Sequence, residues 1–400
     1  MVPGGAGCAP RRAGRSRPLN SRERVIAALR HEPVDRVPYG EFSVDSDTVA
    51  RVLGHETYLR NKAASQIALW EGRREEVAQS WREDFIAFYR KMDCFDILNC
   101  CSMAAGTLPP KGYTPNPPRK TGDDTWEDRQ GRIYKYSPTT NDITCVHDPV
   151  AAARQWTVAE FDESPDPSPP DPSVYEVVDA LLAEFRGERF LTGHSGSEAG
   201  WLLLGGMERG LMMFVEQPEV VRSAIRAETR HGNVRDTWAV RPGQDAAFWG
   251  ADFAYRSGPF ISPAMWREFC LPAYTERTAR LHARGQFVLK HACGNNLPLL
   301  DGFVEAGFDC YQSLQSSAGV HLADLKPTYG RKMCLWGGMP LEVLQSGTPT
   351  QVRAEVRRAL QVGTPGSGFI FGTSHSVAVG TPYDNFMAMI DEFLRLRDRV

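Results

Sequence analysis

A histidine and a cysteine lie two residues apart in the segment Lys290-His291-Ala292-Cys293-Gly294-Asn295. The residues just before this segment are apolar and β-branched or aromatic, which predicts a strand that ends here. Side chains alternate between the two faces of a strand, so His291 and Cys293 point the same way and can bind one metal ion. The pair alone is a weak signal, because both residue types are also common in ordinary cores.

His375 is the third candidate ligand, because it closely follows another short apolar run, residues 368–372. Three nitrogen or sulfur ligands with one open position describe a catalytic zinc site. Thiolate and imidazole ligands suit Zn²⁺ better than Mg²⁺ or Ca²⁺, which prefer oxygen. Carboxylates that also follow predicted strands are candidate catalytic groups, or would complete or orient the metal shell: Glu41, Glu198 and Asp252.

The pair Gly337-Gly338 ends a further apolar run. Residues without a Cβ atom let the backbone approach a ligand closely, so both glycines are candidate cofactor-binding positions. They equally permit a simple turn, and both interpretations stay open.

These candidates all stand at the carboxyl ends of short apolar runs. Eight such runs separated by helical patterns predict an α/β fold, a closed (β/α)8 TIM barrel, whose active site lies at the carboxyl ends of the strands. The connection between the second and third strands is a long insertion, and residues 125–136 within it read as a hairpin lying over the barrel mouth. The runs are residues 37–42, 96–100, 190–194, 247–252, 287–291, 309–314, 332–338 and 368–372.

Length and composition favour one domain. A chain of 400 residues, 42% of them hydrophobic, accommodates a single barrel with insertions. Residues 1–19 are rich in Gly, Pro and Arg without an acidic residue, which predicts a disordered tail before a domain at 20–400. Asn20 and Glu23 have the spacing of a capping box, so the first helix is expected to begin there.

Charge and cysteine usage limit the partners. A net charge of -3 without a basic stripe gives no reason to expect nucleic acid or a membrane surface, and favours small-molecule ligands. The nine cysteines lack the spacing of a disulfide framework, and no secretory apolar segment precedes them. No apolar stretch approaches the roughly 20 residues that span a bilayer. We therefore expect a cytoplasmic protein.

Several segments together resemble the uroporphyrinogen decarboxylase-like superfamily. Within it, the pattern is most similar to the zinc-dependent methyltransferases that act with corrinoid proteins or coenzyme M. The segments are SRERV (21–25), PVDRVP (33–38), LKHACGN (289–295), Gly337-Gly338, SHS (374–376) and TPYDN (381–385).

This resemblance implies a barrel whose zinc is held by the His-x-Cys pair and a later cysteine. The position of that later cysteine falls on His375. A histidine there can still bind a metal, but it replaces a soft thiolate ligand with a harder imidazole. It further implies transfer of a methyl group between a small O-, N- or S-methyl compound, or a thiol, and a cobalt corrinoid (cobalamin) carried by a partner protein.

One segment departs from the decarboxylases of the superfamily. They have an arginine-rich segment after the first strand that clamps substrate carboxylates, whereas residues 41–47 here are acidic. Porphyrinogen decarboxylation is therefore not expected. Two alternatives to methyl transfer remain: a cofactor-free decarboxylase in which Asp252 or Glu41 handles protons, and a barrel that binds a ligand without turnover.

Overall fold

The computed structural model describes residues 17–103 and 107–398. Residues 1–16 of the predicted tail lie outside the described residues. Residues 17–19 contact the first helix and the segment that follows it. Arg17 forms an ion pair with Glu23 of the helix, and the backbone nitrogen of Leu19 donates to Asp35 at 3.2 Å. Residues 17–19 belong to the predicted tail, and the capping box of Asn20 and Glu23 that follows them is confirmed.

The helices and strands alternate along most of the chain. The α-helices are α1 (Ser21–Leu29), α2 (Ser46–Leu53), α3 (Lys62–Trp70), α4 (Arg74–Lys91), α5 (Cys100–Met103), α6 (Pro149–Ala153), α7 (Val158–Asp162), α8 (Glu176–Phe185), α9 (Met207–Glu216), α10 (Pro218–Ala239), α11 (Pro263–Phe269), α12 (Leu271–Ala283), α13 (Leu300–Glu305), α14 (Leu322–Tyr329), α15 (Leu341–Ser346), α16 (Pro349–Gly363) and α17 (Tyr383–Leu396). Single 3₁₀ turns span Pro172–Tyr175, Leu297–Leu299 and Ser316–Ala318. The strands are β1 (Ile97–Asn99), β2 (Arg119–Gly122), β3 (Thr125–Glu127), β4 (Ile133–Ser137), β5 (Asp142–His147), β6 (Phe190–Gly193), β7 (Ala246–Trp249), β8 (Ala254–Tyr255), β9 (Gly258–Pro259), β10 (Phe287–His291), β11 (Cys310–Gln312), β12 (Cys334–Met339) and β13 (Phe369–Thr373).

Seven strands form one parallel sheet in the order β1-β6-β7-β10-β11-β12-β13. Each corresponds to a run predicted from the sequence, and each pairs in parallel with its neighbours. Nearly all of their residues are buried, as expected when helices cover a parallel sheet. The parallel α/β architecture is therefore as predicted.

The first predicted run, residues 37–42, forms only an isolated bridge at Tyr39 and not a full strand. Its backbone nevertheless bonds to both edge strands: Phe371 N donates to Pro38 O at 2.9 Å, and Ile97 N donates to Tyr39 O at 3.2 Å. Pro38 has no N–H to extend a ladder, which explains why the pairing is so short. A Cβ on Gly40 would come within 2.8 Å of Ile97 Cβ, so glycine permits this close approach.

An antiparallel sheet of β2, β3, β4 and β5 lies in the connection between β1 and β6. The hairpin predicted at residues 125–136 is present as β3 and β4, and two further strands extend it. Trp70 at the end of α3 packs against Trp126 and Tyr134, with ring centroids 5.8 Å apart in both contacts. The sheet is thus anchored on α3.

One apolar cluster fills the inner face of the parallel sheet. Leu289, Cys310 and Ile370 belong to it, and Val25 and Ala28 of α1 pack against it. Because inward residues recur every second position, His291 lies on the same face as Leu289, one step closer to the carboxyl end of β10. The fold therefore places His291 above the apolar cluster and away from α1.

Among the described helices, none combines the length and the apolar character needed to cross a bilayer.

Candidate metal centre

His291, Cys293 and His375 lie together at the carboxyl ends of β10 and β13. Their candidate ligand atoms all lie within 4.8 Å of one another. Cys293 Sγ is 3.3 Å from His291 Nε2, close to the roughly 3.5 Å that separates two ligands of a tetrahedral zinc ion. The His291 and His375 rings are 5.8 Å apart and nearly perpendicular, at 71°. The nitrogen and sulfur donors of this group are of the types that zinc prefers, so the donor set fits zinc.

Gln312 orients His291. Its side-chain Nε2 donates to Thr373 O at 3.1 Å, which turns Oε1 toward His291 Nδ1. Nδ1 of His291 must then carry the proton and donate it to Gln312. Nε2 of His291 therefore presents a lone pair to Cys293 and the metal position. Burial lowers the pKa of His291 to about 4, which keeps the imidazole neutral at neutral pH.

Sequence reasoning missed Gln312. It pairs with His291 in the register of β10 and β11. The signal available in the sequence was a polar residue at the end of an otherwise apolar run, on the same face as Cys310.

Cys293 lies in the loop after β10. Its backbone nitrogen donates to Asp252 Oδ1 at 2.7 Å, and its sulfur lies 3.6 Å from Ser313 Oγ. Ser313 has a φ of 130° and donates through Oγ to Ser374 O at 2.9 Å, which leaves its oxygen to accept from the thiol. Burial raises the pKa of Cys293 to about 12, so the thiol is protonated until a cation displaces the proton.

Asp252, predicted as catalytic, lies at the same edge and is exposed. Burial lowers the pKa of both His291 and His375, and the negative charge of Asp252 opposes that effect on each. It therefore lies close enough to balance positive charge at the cluster, although it is outside the three-residue group.

Glu41, also predicted as catalytic, is 1% exposed and does not face an open cleft. Its carboxylate accepts from Tyr39 Oη at 2.8 Å, from Thr373 N at 2.9 Å and from Thr373 Oγ1. Burial raises the pKa of Glu41 to about 7. Its contacts tie residues 37–42, the Tyr39 segment, to β13.

Glu198, the third predicted catalytic carboxylate, holds a neighbouring loop. Oε2 accepts from the backbone nitrogens of Gly250 and Ala251 at 3.0 and 2.9 Å. Oε1 accepts from Tyr274 Oη and from Lys290 Nζ, and Lys290 is fully buried. The carboxylate is thus occupied by structural bonds, and the buried lysine that pairs with it was not recognised from the sequence.

Gly337 and Gly338, the predicted cofactor-binding pair, are buried within β12 at φ of 147° and 105°. A Cβ would come within 3.0 Å of Ser313 O at Gly337, and within 3.0 Å of Ala359 Cβ at Gly338. Protein atoms already occupy the space next to both residues. The structure therefore gives them a packing role.

Phe42 forms one wall of the cluster. Its ring stacks on His291 at 4.4 Å and 15°, and lies 5.9 Å from the ring of His375. Phe42 also lines a cavity of about 590 Å³. A larger cavity, of about 1000 Å³, borders Val37, the first residue of the Tyr39 segment, and Gly366, which precedes β13. It therefore lies at the opposite end of the sheet.

Comparison with known proteins agrees with this architecture. A sequence model of the uroporphyrinogen decarboxylase (URO-D) family matches residues 142–395. The uroporphyrinogen decarboxylase of Alkalilimnicola ehrlichii is 24% identical over 264 residues, which cover 61% of this chain and 68% of that protein. A methyltransferase from Methanosarcina mazei superimposes with a TM-score of 0.64 at 16% identity, covering 94% of this chain and 99% of that one. At that identity the likeness shows a shared fold, and the family match establishes that the chain belongs to the uroporphyrinogen decarboxylase family.

Proposed function

We propose that this protein is a zinc-dependent methyltransferase that moves a methyl group between a small O-, N- or S-methyl compound, or a thiol, and a corrinoid carried by a partner protein. The observation that supports it most is the set of donor atoms of His291, Cys293 and His375 within 4.8 Å. The structural likeness to a methyltransferase agrees with the proposal. We also propose that the sheet acts as a closed (β/α)8 barrel, with the Tyr39 segment as its shortened first strand.

The residues of the cluster have distinct tasks. Zinc, when bound, would supply Lewis acidity toward the heteroatom that carries or receives the methyl group. His291, Cys293 and His375 would hold it and leave one position open. Gln312 fixes the tautomer of His291, and the negative charges of the Cys293 thiolate and Asp252 would together balance a divalent cation.

The Cys293→Ala variant tests the proposal. We expect the wild type to contain about one zinc per chain, and the variant to lose metal and methyl transfer while remaining folded, because a barrel of this size does not depend on metal for its core. Cys145→Ala is the matched control, since Cys145 is an exposed thiol on β5. His375→Cys should retain metal and shift the preference for donor or acceptor.

The measurements are metal content, circular dichroism and methylation of cob(I)alamin by candidate methyl donors. Wild-type protein without stoichiometric metal, or Cys293→Ala with unchanged methyl transfer, would refute the mechanism. Zinc binding without transfer from any donor would favour the ligand-binding alternative.

A cofactor-free decarboxylase is the second candidate, and the raised pKa of Glu41 favours it. Against it, Glu41 is buried and fully bonded. The acidic segment itself is less repulsive than its sequence indicates, because Asp45 is paired with Arg60 at 2.7 Å. Arg60 and Lys62 are nevertheless only two cations, which is few for uroporphyrinogen with its eight carboxylates. Conversion of uroporphyrinogen to coproporphyrinogen at ordinary enzyme rates would promote this candidate over methyl transfer.

A further inference from the structure

The cavity of about 590 Å³ shares the Phe42 wall with the candidate metal centre. Leu69 and Trp81 add apolar surface, and Trp81 is 2% exposed. Phe42 is the residue that the cavity and the candidate metal centre share, because its ring also packs against His291 and His375. The candidate metal centre therefore has a cavity on the far side of one aromatic side chain.

The charged groups of the cavity wall are mainly cationic. Arg60 and Lys62 line it together with a single carboxylate, Asp142. Arg60 directs Nε and Nη2 to Asp45 Oδ1, at 3.0 and 2.7 Å, and is held in place by that carboxylate. Lys62 Nζ lies 3.1 Å from Asp142 Oδ2, and an ammonium carries three donors, of which this contact uses one.

His194 adds an unsatisfied polar atom to the same wall. Its Nε2 is buried and has no hydrogen-bond partner among residues 17–103 and 107–398. Burial lowers the pKa of His194 to about 4, so the ring is neutral at neutral pH. A buried polar atom without a partner costs free energy, so His194 is a polar and incompletely satisfied residue beside the cavity.

We propose that this cavity binds the anionic group of the substrate, so that the substrate is a small organic carboxylate with a methylated heteroatom. Lys62 contacts the carboxylate, Phe42 and Trp81 enclose the apolar part, and the heteroatom lies at the candidate metal centre. This inference rests on the proposed function, and it adds a substrate class to it.

Matched acids and amides test the inference. Calorimetric titration of zinc-loaded and metal-free protein would use 4-methoxybenzoate with 4-methoxybenzamide, and (methylthio)acetate with (methylthio)acetamide. We expect at least one acid to bind about tenfold tighter than its amide, because a charged hydrogen bond is lost in the amide. Lys62→Met should remove that difference without changing amide binding.

Two further variants make the result specific. Lys135→Met is the control, since Lys135 is an exposed lysine on β4, and it should change neither affinity. Asp142→Asn removes the carboxylate that competes for Lys62, so it should tighten binding of the acid. That variant keeps the inference testable even if Lys62→Met fails to fold.

Equal binding of acid and amide, failure of both acids to bind the zinc-loaded wild type, or equal loss of acid and amide in Lys62→Met would overturn the inference. Charge-dependent binding without methyl transfer would refute the proposed function and leave the carboxylate pocket standing. Methyl transfer from neutral compounds alone would support the proposed function and refute the carboxylate pocket.

Discussion

At the scale of single residues, the orientation of one imidazole depends on one amide. Gln312 is held by Thr373 O, and it in turn determines which nitrogen of His291 faces Cys293. Outer contacts of this kind tune the affinity of a metal ligand as well as its position. Zinc affinity at the proposed site should therefore depend on Gln312, which is outside the three candidate ligands.

Replacing Gln312 tests that dependence. We expect Gln312→Leu to weaken zinc binding by about 10- to 100-fold, because Nδ1 of His291 loses its acceptor and the tautomer is no longer fixed. Gln312→Glu keeps an acceptor and should bind zinc more tightly than the Leu variant. Competition with a chromogenic chelator measures both, and equal affinities in the two variants would show that Gln312 is only a packing residue.

The sequence predicted which ligands come together but not what surrounds them. His291, Cys293 and His375 follow strand ends, and parallel strands bring their carboxyl ends to one edge. The same rule selected Glu41 and Glu198 as candidate catalytic groups. Their carboxylates instead accept hydrogen bonds from Thr373 and Lys290. Partners of a carboxylate depend on strand register and loop path, and neither is visible in residue spacing.

At the scale of elements, a buried ion pair ties β10 to the loop after β6, and both of its partners also bond to the loop after β7. Lys290 Nζ contacts Glu198 and also donates to Ala251 O at 2.6 Å. Burial lowers the pKa of Lys290, and Glu198 opposes that effect. The pair therefore positions the loop that carries Asp252 beside the candidate metal centre.

Breaking this pair should be costly. We expect Lys290→Met to lower the free energy of unfolding by about 3–5 kcal/mol, because it leaves Glu198 without its cation in a largely buried place. The double variant Lys290→Met, Glu198→Gln should lose less than Lys290→Met alone. Urea unfolding of the three proteins gives the comparison, and a double variant that is less stable than Lys290→Met would contradict this account.

The seven strands of the parallel sheet were predictable from apolar runs. The limits of the first run, residues 37–42, were not. Residues 37–42 have the composition of a strand, but Pro38 removes a donor and Glu41 turns inward to Thr373. The antiparallel sheet was predicted only as one hairpin. Its outer strands, β2 and β5, are largely exposed, and β2 contains no apolar side chain that would mark it as a strand.

At the scale of the whole molecule, Glu41 couples pH to the stability of the fold. Burial raises its pKa from 4.5 to about 7, so the folded protein holds a proton that the unfolded chain releases within that window. The contribution of Glu41 to stability is fully present below about pH 4.5 and is lost as the pH rises through about 7.

Glu41→Gln removes this titration. The difference in unfolding free energy between wild type and variant should therefore change by about 3 kcal/mol between about pH 4.5 and pH 7.5, with the wild type favoured more at the lower pH. Chemical unfolding at both pH values provides the measurement. A difference that stays constant would show that Glu41 does not titrate in this range.

The short contact at Tyr39 joins the beginning of the sheet to its end. Tyr39 pairs with Phe371, and Val44 pairs with Val377. These early residues can therefore form their pairs only after nearly the whole chain has been synthesised. During synthesis on the ribosome, the Tyr39 segment and β12 remain open edges until β13 has emerged, and open edges invite pairing with other chains. Folding is thus a late event for this protein, and a nascent chain stalled before residue 369 would be prone to aggregate.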